Sequence, residues 1–406
     1  MSGPLAGIRI IDMTTMLSGP WAAMILADQG ADVIKIEVPD TGDHVRSLGN
    51  QRAGMSSMFL NINRNKRSVS IDVKTPRGRD IVLDLARGAD VFMQNFRPGV
   101  VDRLGVGEAD IRRVAPNIVY ASISGFGDVG PWVGKPVYDP VIQAVSGLTS
   151  VQAGSDQERP RLIRTVLPDK LAAVTVAQSI SAALVSKARS GEGQHVRISM
   201  LDSVLYFLWA SDMGAQTYPD TNMTNQEAAS FIDLIYETKD GYMTVAVMSN
   251  REWTGLSKAL EKPEWLTDER FVTPSARDKH VNERLAMTQE VLKRRDTAEW
   301  MQRLEAHDVP CAPALRRSEV IDHPQVVASG TIVETDHHAA GRLRQARSPA
   351  RFERTPSSIR RGAPLLGEHN DEVLAELGYS ESTRADLRAE RIVGSEMRNM
   401  GRGTDR

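Results

Sequence analysis

Leu167-Pro168-Asp169-Lys170 stands at the head of a long stretch rich in Ala, Val, Ile and Leu. A carboxylate in that place can do one of two things. As an N-cap it accepts backbone N–H bonds and complements the helix dipole. As a nucleophile it is held ionised and aimed outward by the same N–H groups. The local pattern leaves both open. A second set of residues is cationic. Asn63-Arg64-Asn65-Lys66-Arg67 precedes one apolar run and Lys74 follows it, while Asn95-Phe96-Arg97-Pro98-Gly99 and Arg103 come after the next. Ligands on open α/β sheets bind at the carboxyl ends of strands, so such cations can line one groove for a phosphate-bearing anion. Each alone reads as a solvated loop residue; their recurrence after successive strands is the signal.

Other chemistries lack their context. Gly125-Phe126-Gly127-Asp128-Val129-Gly130 has the dinucleotide-binding spacing, but Pro131-Trp132-Val133-Gly134-Lys135-Pro136 follows it and cannot open the helix that would hold a pyrophosphate. The eight histidines form no zinc-enzyme signature, and His337-His338 reads as a solvated pair. His307 and Cys311 are separated by Pro310, which breaks the helix that would align them. No Gly-x-Ser-x-Gly elbow offers a serine nucleophile. The single cysteine excludes a disulfide framework and a cysteine-based zinc or iron–sulfur centre, so no metal is expected.

The elements that must position these groups read as alternating strands and helices. Ile8–Met13 has strand length, Ser18-Gly19-Pro20 opens a helix with Pro20 at its first position, and Ala31–Glu37 is the next strand. Ser68–Asp72, Asp90–Asn95, Asn117–Ser124 and His195–Met200 continue the strands, with helices over Arg77–Arg87 and about Lys170–Ala188 between them. Parallel strands need such crossovers, which predicts a doubly wound α/β sheet. After Tyr218 the character changes. A hairpin around Lys239-Asp240-Gly241 and helices near Trp253–Leu260, Val281–Arg294 and Thr297–His307 predict a smaller α+β domain over 219–323. The large domain therefore spans 1–218, and 324–406 returns to it: irregular and Arg-rich, with a short helix near Asp371–Leu377 and a charged tail from Ser380.

Composition bounds the class. The chain has 406 residues, 50 basic against 52 acidic, so no global basic field points to nucleic acid. Met1-Ser2-Gly3-Pro4 lacks a signal peptide's basic patch and apolar run, and no uninterrupted apolar stretch reaches the ~18 residues of a membrane span. A cytoplasmic multidomain enzyme without membrane or nucleic-acid partners is the expectation.

Eight motifs in order make the chain resemble the family III CoA-transferases, a group that includes formyl-CoA and carnitine-type transferases with α-methylacyl-CoA racemase as a branch. They are Leu5–Asp12, Gly30–Glu37, Asn65-Lys66-Arg67-Ser68, Asn95–Gly99, Ser124-Gly125-Phe126-Gly127, Gly191-Glu192-Gly193-Gln194, Val309–Pro313 and Leu366–Asn370, and the resemblance places the family's nucleophilic aspartate at Asp169. The resemblance implies that Asp169 both caps and reacts. It would attack the thioester of a donor acyl-CoA to form an acyl-aspartyl anhydride, which the CoA thiolate converts to an aspartyl-CoA thioester for the acceptor carboxylate. CoA is then substrate, and no permanently bound cofactor is implied.

The resemblance also implies a CoA groove at Met16, Leu17, Ser18, Ile71, Lys74, Asn95, Phe96, Arg97, Arg103 and Met200, with Lys74, Arg97 and Arg103 toward phosphates. It implies a Rossmann-like large domain in an interlocked homodimer. At Tyr138-Asp139 the racemase branch carries His then Asp; tyrosine, with an ordinary pKa near ~10, is a poor proton-abstracting partner, which favours transfer over racemisation. A racemase or epimerase, or a CoA-binding protein in which Asp169 only caps, are the alternatives. Leu17 and Val38 stand where formyl-CoA transferases carry Gln and Arg, and Val245–Asn250 replaces their glycine run, which turns the expectation away from formyl/oxalyl exchange.

Overall fold

The computed structural model describes residues 3–220 and 234–394. The large unit is built on six strands: β1 (Arg9–Asp12), β2 (Asp32–Glu37), β3 (Lys66–Ser70), β4 (Val91–Gln94), β5 (Val119–Ser124) and β6 (His195–Ser199). All pairings are parallel and the order across the sheet is β3-β2-β1-β4-β5-β6. That is the Rossmann order, in which chain progression reverses between β1 and β4 and opens a crevice at their carboxyl ends.

Helices cover both faces because both faces are apolar. Helix α1 (Ser18–Asp28) places Ala22, Ala23, Leu26 and Ala27 on Ile10, Val33, Val91 and Val119 of one face. Helix α5 (Leu167–Ser190) joins it there through Ala173, Val176, Ala177 and Ile180. On the other face, α2 (Pro76–Arg87) and α3 (Glu108–Val114) pack Ile81, Val82, Leu85 and Ile111 against Ile11, Ile34, Phe92 and Tyr120. Small side chains along α1 and α5 let two helices share one side of the sheet at close approach. By length and composition α5 could cross a membrane, but here it lies against the sheet, with its stripe of alanines and Ile180 buried.

Three local expectations change. Helix α1 begins at Ser18, so Pro20 is its third residue; its N–H is one of the four without an intrahelical acceptor in any case. The segment beyond residue 324 forms an antiparallel hairpin, β10 (Ile332–His337) and β11 (Gly341–Ala346). Its strands hold only Ile332, Val333 and Leu343 as large apolar residues, too few to mark a strand in the sequence. The charged tail is also structured as far as residue 394. Helix α10 (Asn370–Glu376) is followed by α11 (Glu381–Ala389), and Leu387, Ile392 and Val393 are buried among Ile71, Val73 and Ile81.

The chain divides into two compact units: Met1–Gln152, Pro160–Met213 and Gly330–Arg406 in one, Ala153–Arg159 and Gly214–Ser329 in the other. The small unit carries an antiparallel sheet of β7 (Ile235–Glu237), β8 (Tyr242–Val245) and β9 (Cys311–Pro313). Helices α7 (Asn250–Ala259), α8 (Val281–Leu292) and α9 (Thr297–Glu305) pack Trp253, Leu256, Leu285, Leu292, Trp300 and Leu304 around Tyr236 and Met243. Cys311 pairs with Val245 in that sheet. Residues 221–233 lie outside the described residues, and with them Thr221 and Asn222 of the polar stretch Asp220-Thr221-Asn222 that reads in the sequence as a linker.

Candidate active site

The crevice between β1 and β4 is closed by two loops that hold each other. Thr15 N–H donates to Asn95 Oδ1 at 2.8 Å, and Asn95 Nδ2 donates back to the Thr15 carbonyl at 2.7 Å. The first loop then turns at Met16, whose φ of 69° is left-handed, and enters α1 through Leu17 and Ser18. That turn is fixed from below. Met16 N–H donates to Asp43 Oδ1 at 3.1 Å, and fully buried Lys35 bridges Asp43 Oδ2 at 2.9 Å to the Thr14 carbonyl at 2.8 Å. Burial alone would lower the Lys35 pKa; the charges of Asp43, Asp12 and Glu37 outweigh it and raise it.

Asp169 sits in the first turn of α5, after Pro168. It does not cap that helix: Val166 is the N-cap and donates or accepts no side-chain capping bond. Instead the Asp169 carboxylate faces the backbone N–H and hydroxyl of Ser18, the first residue of α1, both of which favour its anion. The cap position of α1, Leu17, has no side chain able to do this. Asp169 therefore closes the open end of a neighbouring helix, where the α1 dipole favours its negative charge.

Asp139 opens α4 (Asp139–Val145) and lies next to this carboxylate, accepting the Asp169 N–H on Oδ2 at 3.3 Å. Its other oxygen accepts from Gln143 Nε2 at 2.6 Å, and Gln143 Oε1 in turn accepts the Ile163 N–H at 2.9 Å. Burial and the charge of Asp139 push the Asp169 pKa up to about 6 against the two Ser18 donors; burial also raises Asp139. A half-buried carboxylate that is ionised near neutrality, poorly solvated and directionally held has the properties of a nucleophile.

Beyond the loops lies a cavity of about 440 Å³ walled by Ile36, Ile71, Val73, Phe96, Val100 and Leu104, with Lys74 at its edge. A second cavity of about 350 Å³ shares Val73, Lys74 and Leu104 and adds Arg79 and Arg103. A third, of about 240 Å³, is lined by Phe96 and Arg97 together with Ser122, His195 and Arg197. The chamber is apolar within and its borders carry both signs of charge, Lys74, Arg79, Arg97 and Arg103 beside Asp40, Asp72 and Asp102; the apolar walls suit a purine and the cations its phosphates.

The structure thus gathers Ile71, Lys74, Phe96, Arg97 and Arg103 around linked cavities; Ser18 stands beside Asp169, Met16 and Leu17 precede it in the same loop, and Asn95 holds that loop at Thr15. Met200, the first residue of α6 (Met200–Trp209), is buried among Ile142, Leu148 and Ala172, beneath the α4–α5 junction, and lines none of the three cavities. Tyr138 is 70% exposed at the cap of α4, while Asp139 is 3% exposed.

The cationic run Asn63–Arg67, expected to border the groove, does not. Arg64 is paired with Asp28 at 2.7 Å, Lys66 with Asp12 at 2.8 Å, and Arg67 with Asp32, Glu372 and Glu376, all three buried. Burial, more than Asp12 can offset, brings the Lys66 pKa down to about 8. His337 is likewise no solvated residue; it is buried, with Nε2 on the Ala363 carbonyl at 2.7 Å and Nδ1 accepting from Ala339 and Ala340. Lys35 and Asp43 escape a reading for surface chemistry. Their one signal is a lysine inside the apolar run Val33-Ile34-Lys35-Ile36, which requires a buried counter-ion.

The sequence profile of CoA-transferase family III matches residues 5–370. The human succinyl-CoA:glutarate CoA-transferase is 32% identical over 398 residues, covering 96% of this chain and 90% of that protein. The formyl-CoA:oxalate CoA-transferase of Afipia carboxidovorans is 31% identical, covering 97% and 98%. Among solved structures, a CaiB/BaiF family protein from Brucella suis superposes with a TM-score of 0.81 at 29% identity, over 93% of this chain and all of that one. Rv3272 from Mycobacterium tuberculosis gives 0.80 at 29%, over 91% and 98%. With the six-stranded sheet and its crevice, these matches establish that the chain belongs to CoA-transferase family III.

Proposed function

We propose that the enzyme moves CoA from an acyl-CoA to a free carboxylic acid through covalent intermediates on Asp169. A carboxylate oxygen attacks the thioester carbonyl carbon, the C–S bond breaks, and CoA leaves as thiolate from an acyl-aspartyl anhydride. The thiolate attacks the aspartyl carbonyl, expelling the donor carboxylate and leaving an aspartyl-CoA thioester. The acceptor carboxylate attacks that thioester, and the released thiolate takes the new acyl group and restores Asp169. Every intermediate keeps an activated acyl bond, and no net proton is transferred.

The observation that supports this most is the Asp169 carboxylate itself, aimed by Ser18 and pushed up to about 6. It is ionised at neutral pH, yet more nucleophilic than an ordinary carboxylate. Tyr138, turned to solvent, offers no second base across from it, which supports transfer over α-proton exchange. The relatives named for succinyl/glutarate and formyl/oxalate exchange suggest small acids as acceptors, and the departures at Leu17 and Val38 favour a larger dicarboxylate or a carnitine-like acid over oxalate. We propose a homodimer, interlocked as the resemblance implies; the outward Val174 and Val185 of α5 and Tyr206, Phe207 and Trp209 of α6 leave apolar surface for a second copy.

In the test, Asp169→Ala is expected to abolish exchange of labelled acid into acyl-CoA while leaving the CoA dissociation constant within about threefold. A panel of donor–acceptor pairs run alongside, with hydroxylamine trapping, names the substrates. Retained turnover in Asp169→Ala, or deuterium wash-in at the α-carbon of a 2-methylacyl-CoA without acceptor, would sink the assignment.

A further inference from the structure

Beyond α11 the chain returns to the sheet edge. The Asp72 N–H donates to the Ile392 carbonyl at 2.8 Å, Val393 pairs antiparallel with Ile71, and Gly394 N–H approaches the Ser70 carbonyl at 3.4 Å. Asn370 Nδ2 holds the Gly394 carbonyl at 2.9 Å, and a Cβ on Gly394 would stand 3.3 Å from Pro39. Residues 391–394 are thereby stitched beside the carboxyl end of β3, where Ile71 and Lys74 emerge.

This seam carries Arg391 into the wall of the 440 Å³ cavity, together with Val38, Asp72 and Lys74. Arg391 has a φ of 59°, a left-handed conformation that favours glycine. Its side chain is exposed and has no ion-pair or hydrogen-bond partner among the described residues. The other arginines near this edge are committed: Arg46 to Glu37, Arg67 to Asp32 and Glu376. An uncommitted guanidinium, held at the mouth of an apolar chamber by a seam of backbone bonds, suits a phosphate carried by whatever fills the chamber.

We propose that Arg391 is a CoA-binding residue, holding the 3′-phosphate on the ribose of the nucleotide end. The assignment rests on CoA being the substrate. The cavity side nearer Asp169 is formed by Met13, Thr15 and Phe96, beside the loops of Met16 and Asn95, whereas Lys74 and Arg391 stand on the β3 side. The diphosphate joins adenosine to the arm that ends in the thioester, so it runs toward Asp169. The phosphate left at the β3 side is the one on the 3′ oxygen.

The experiment compares binding of CoA and 3′-dephospho-CoA to the full-length enzyme by calorimetry, in wild type, Arg391→Ala, Arg391→Lys and Arg391→Gly. Glycine removes the side chain while relieving the positive φ, so it tests the same loss without a risk to folding. The expected result is about tenfold weaker CoA binding in the alanine and glycine variants, with dephospho-CoA unchanged within about twofold. Lysine should recover part of the loss, and kcat at saturating acyl-CoA should stay within about twofold of wild type. Wild-type CoA affinity in both truncating variants, or equal losses for the two nucleotides, would overturn the proposal. A wild-type enzyme that binds neither nucleotide retires the CoA reading itself, an outcome distinct from either of these.

Discussion

At the scale of residues the site turns on two carboxylates and the amide between them. Asp139 accepts the Asp169 N–H while its charge, with burial, raises the Asp169 pKa to about 6. In the proposed mechanism the reacting form is the anion, so the rate of acylation should rise with pH through about 6 and level off above it. Asp139→Asn removes the neighbouring charge, so this limb should move toward lower pH by up to about one unit, with a fall in kcat because an amide NH₂ then meets a donor. A pH profile of single-turnover acylation by acyl-CoA reads both; an unmoved limb would show that burial alone sets the pKa. The same shift has a stability sign. An acid whose pKa rises on folding binds its proton more tightly in the native state, so stability is lost as pH climbs from the unfolded value of 3.8 through about 6. Asp169→Asn should therefore stabilise the enzyme at pH 8 by about 2 kcal/mol, after allowing for solvent at a half-buried group, and by little at pH 4. Urea melts at the two pH values check it. The place of Asp169 at the head of a helix was legible in the sequence, but its partner was not: the local pattern left capping of its own helix and an outward-aimed carboxylate both open, and only the packing of α1 on α5 brings Ser18 to it.

At the scale of elements, the active geometry depends on a loop whose shape is held by buried charge. Lys35, on β2, reaches both Asp43 and the Thr14 carbonyl, and Asp43 holds the Met16 N–H that turns the chain into α1. Asp43→Asn breaks a pair with no side-chain exposure and leaves Lys35 less well compensated. The expected cost is about 3–5 kcal/mol in denaturant unfolding. In the folded enzyme, kcat should fall by about tenfold or more, because the Ser18 donors shift from Asp169, while CoA affinity changes little. Equal losses in kcat and CoA affinity would instead mean that the loop serves the groove. Strands, helices and the crossover rhythm were readable from apolar periodicity. The order of the strands was not, since adjacency of β1 and β4 is decided by crossovers, and the β10–β11 hairpin was hidden by its scarcity of large apolar residues.

At the scale of the molecule, the C-terminal return is part of the core of the large unit. Leu387, Ile392 and Val393 are each no more than 4% exposed, packed with Ile71, Val73 and Ile81. Their sequence neighbours, Ala385-Asp386, Arg388–Arg391 and Gly394, are small or charged, which is why the segment reads as a tail: three anchors in a polar stretch show no sustained period. Burial of a large aliphatic side chain contributes about 1.5–3 kcal/mol, so the three together contribute several, comparable with the net stability of a whole domain. A chain ending at residue 379 should thus unfold at a much lower urea concentration and lose CoA binding, because the seam that walls the cavity leaves with it. Leu387→Ala separates the two effects. It should lower stability by about 2–5 kcal/mol, yet bind CoA with wild-type affinity in the absence of denaturant, since the seam bonds from Asp72 N–H to Ile392 and from Gly394 N–H to Ser70 persist in the folded state. A truncated chain with the unfolding midpoint of the intact enzyme would show that the return merely covers the sheet edge without holding it.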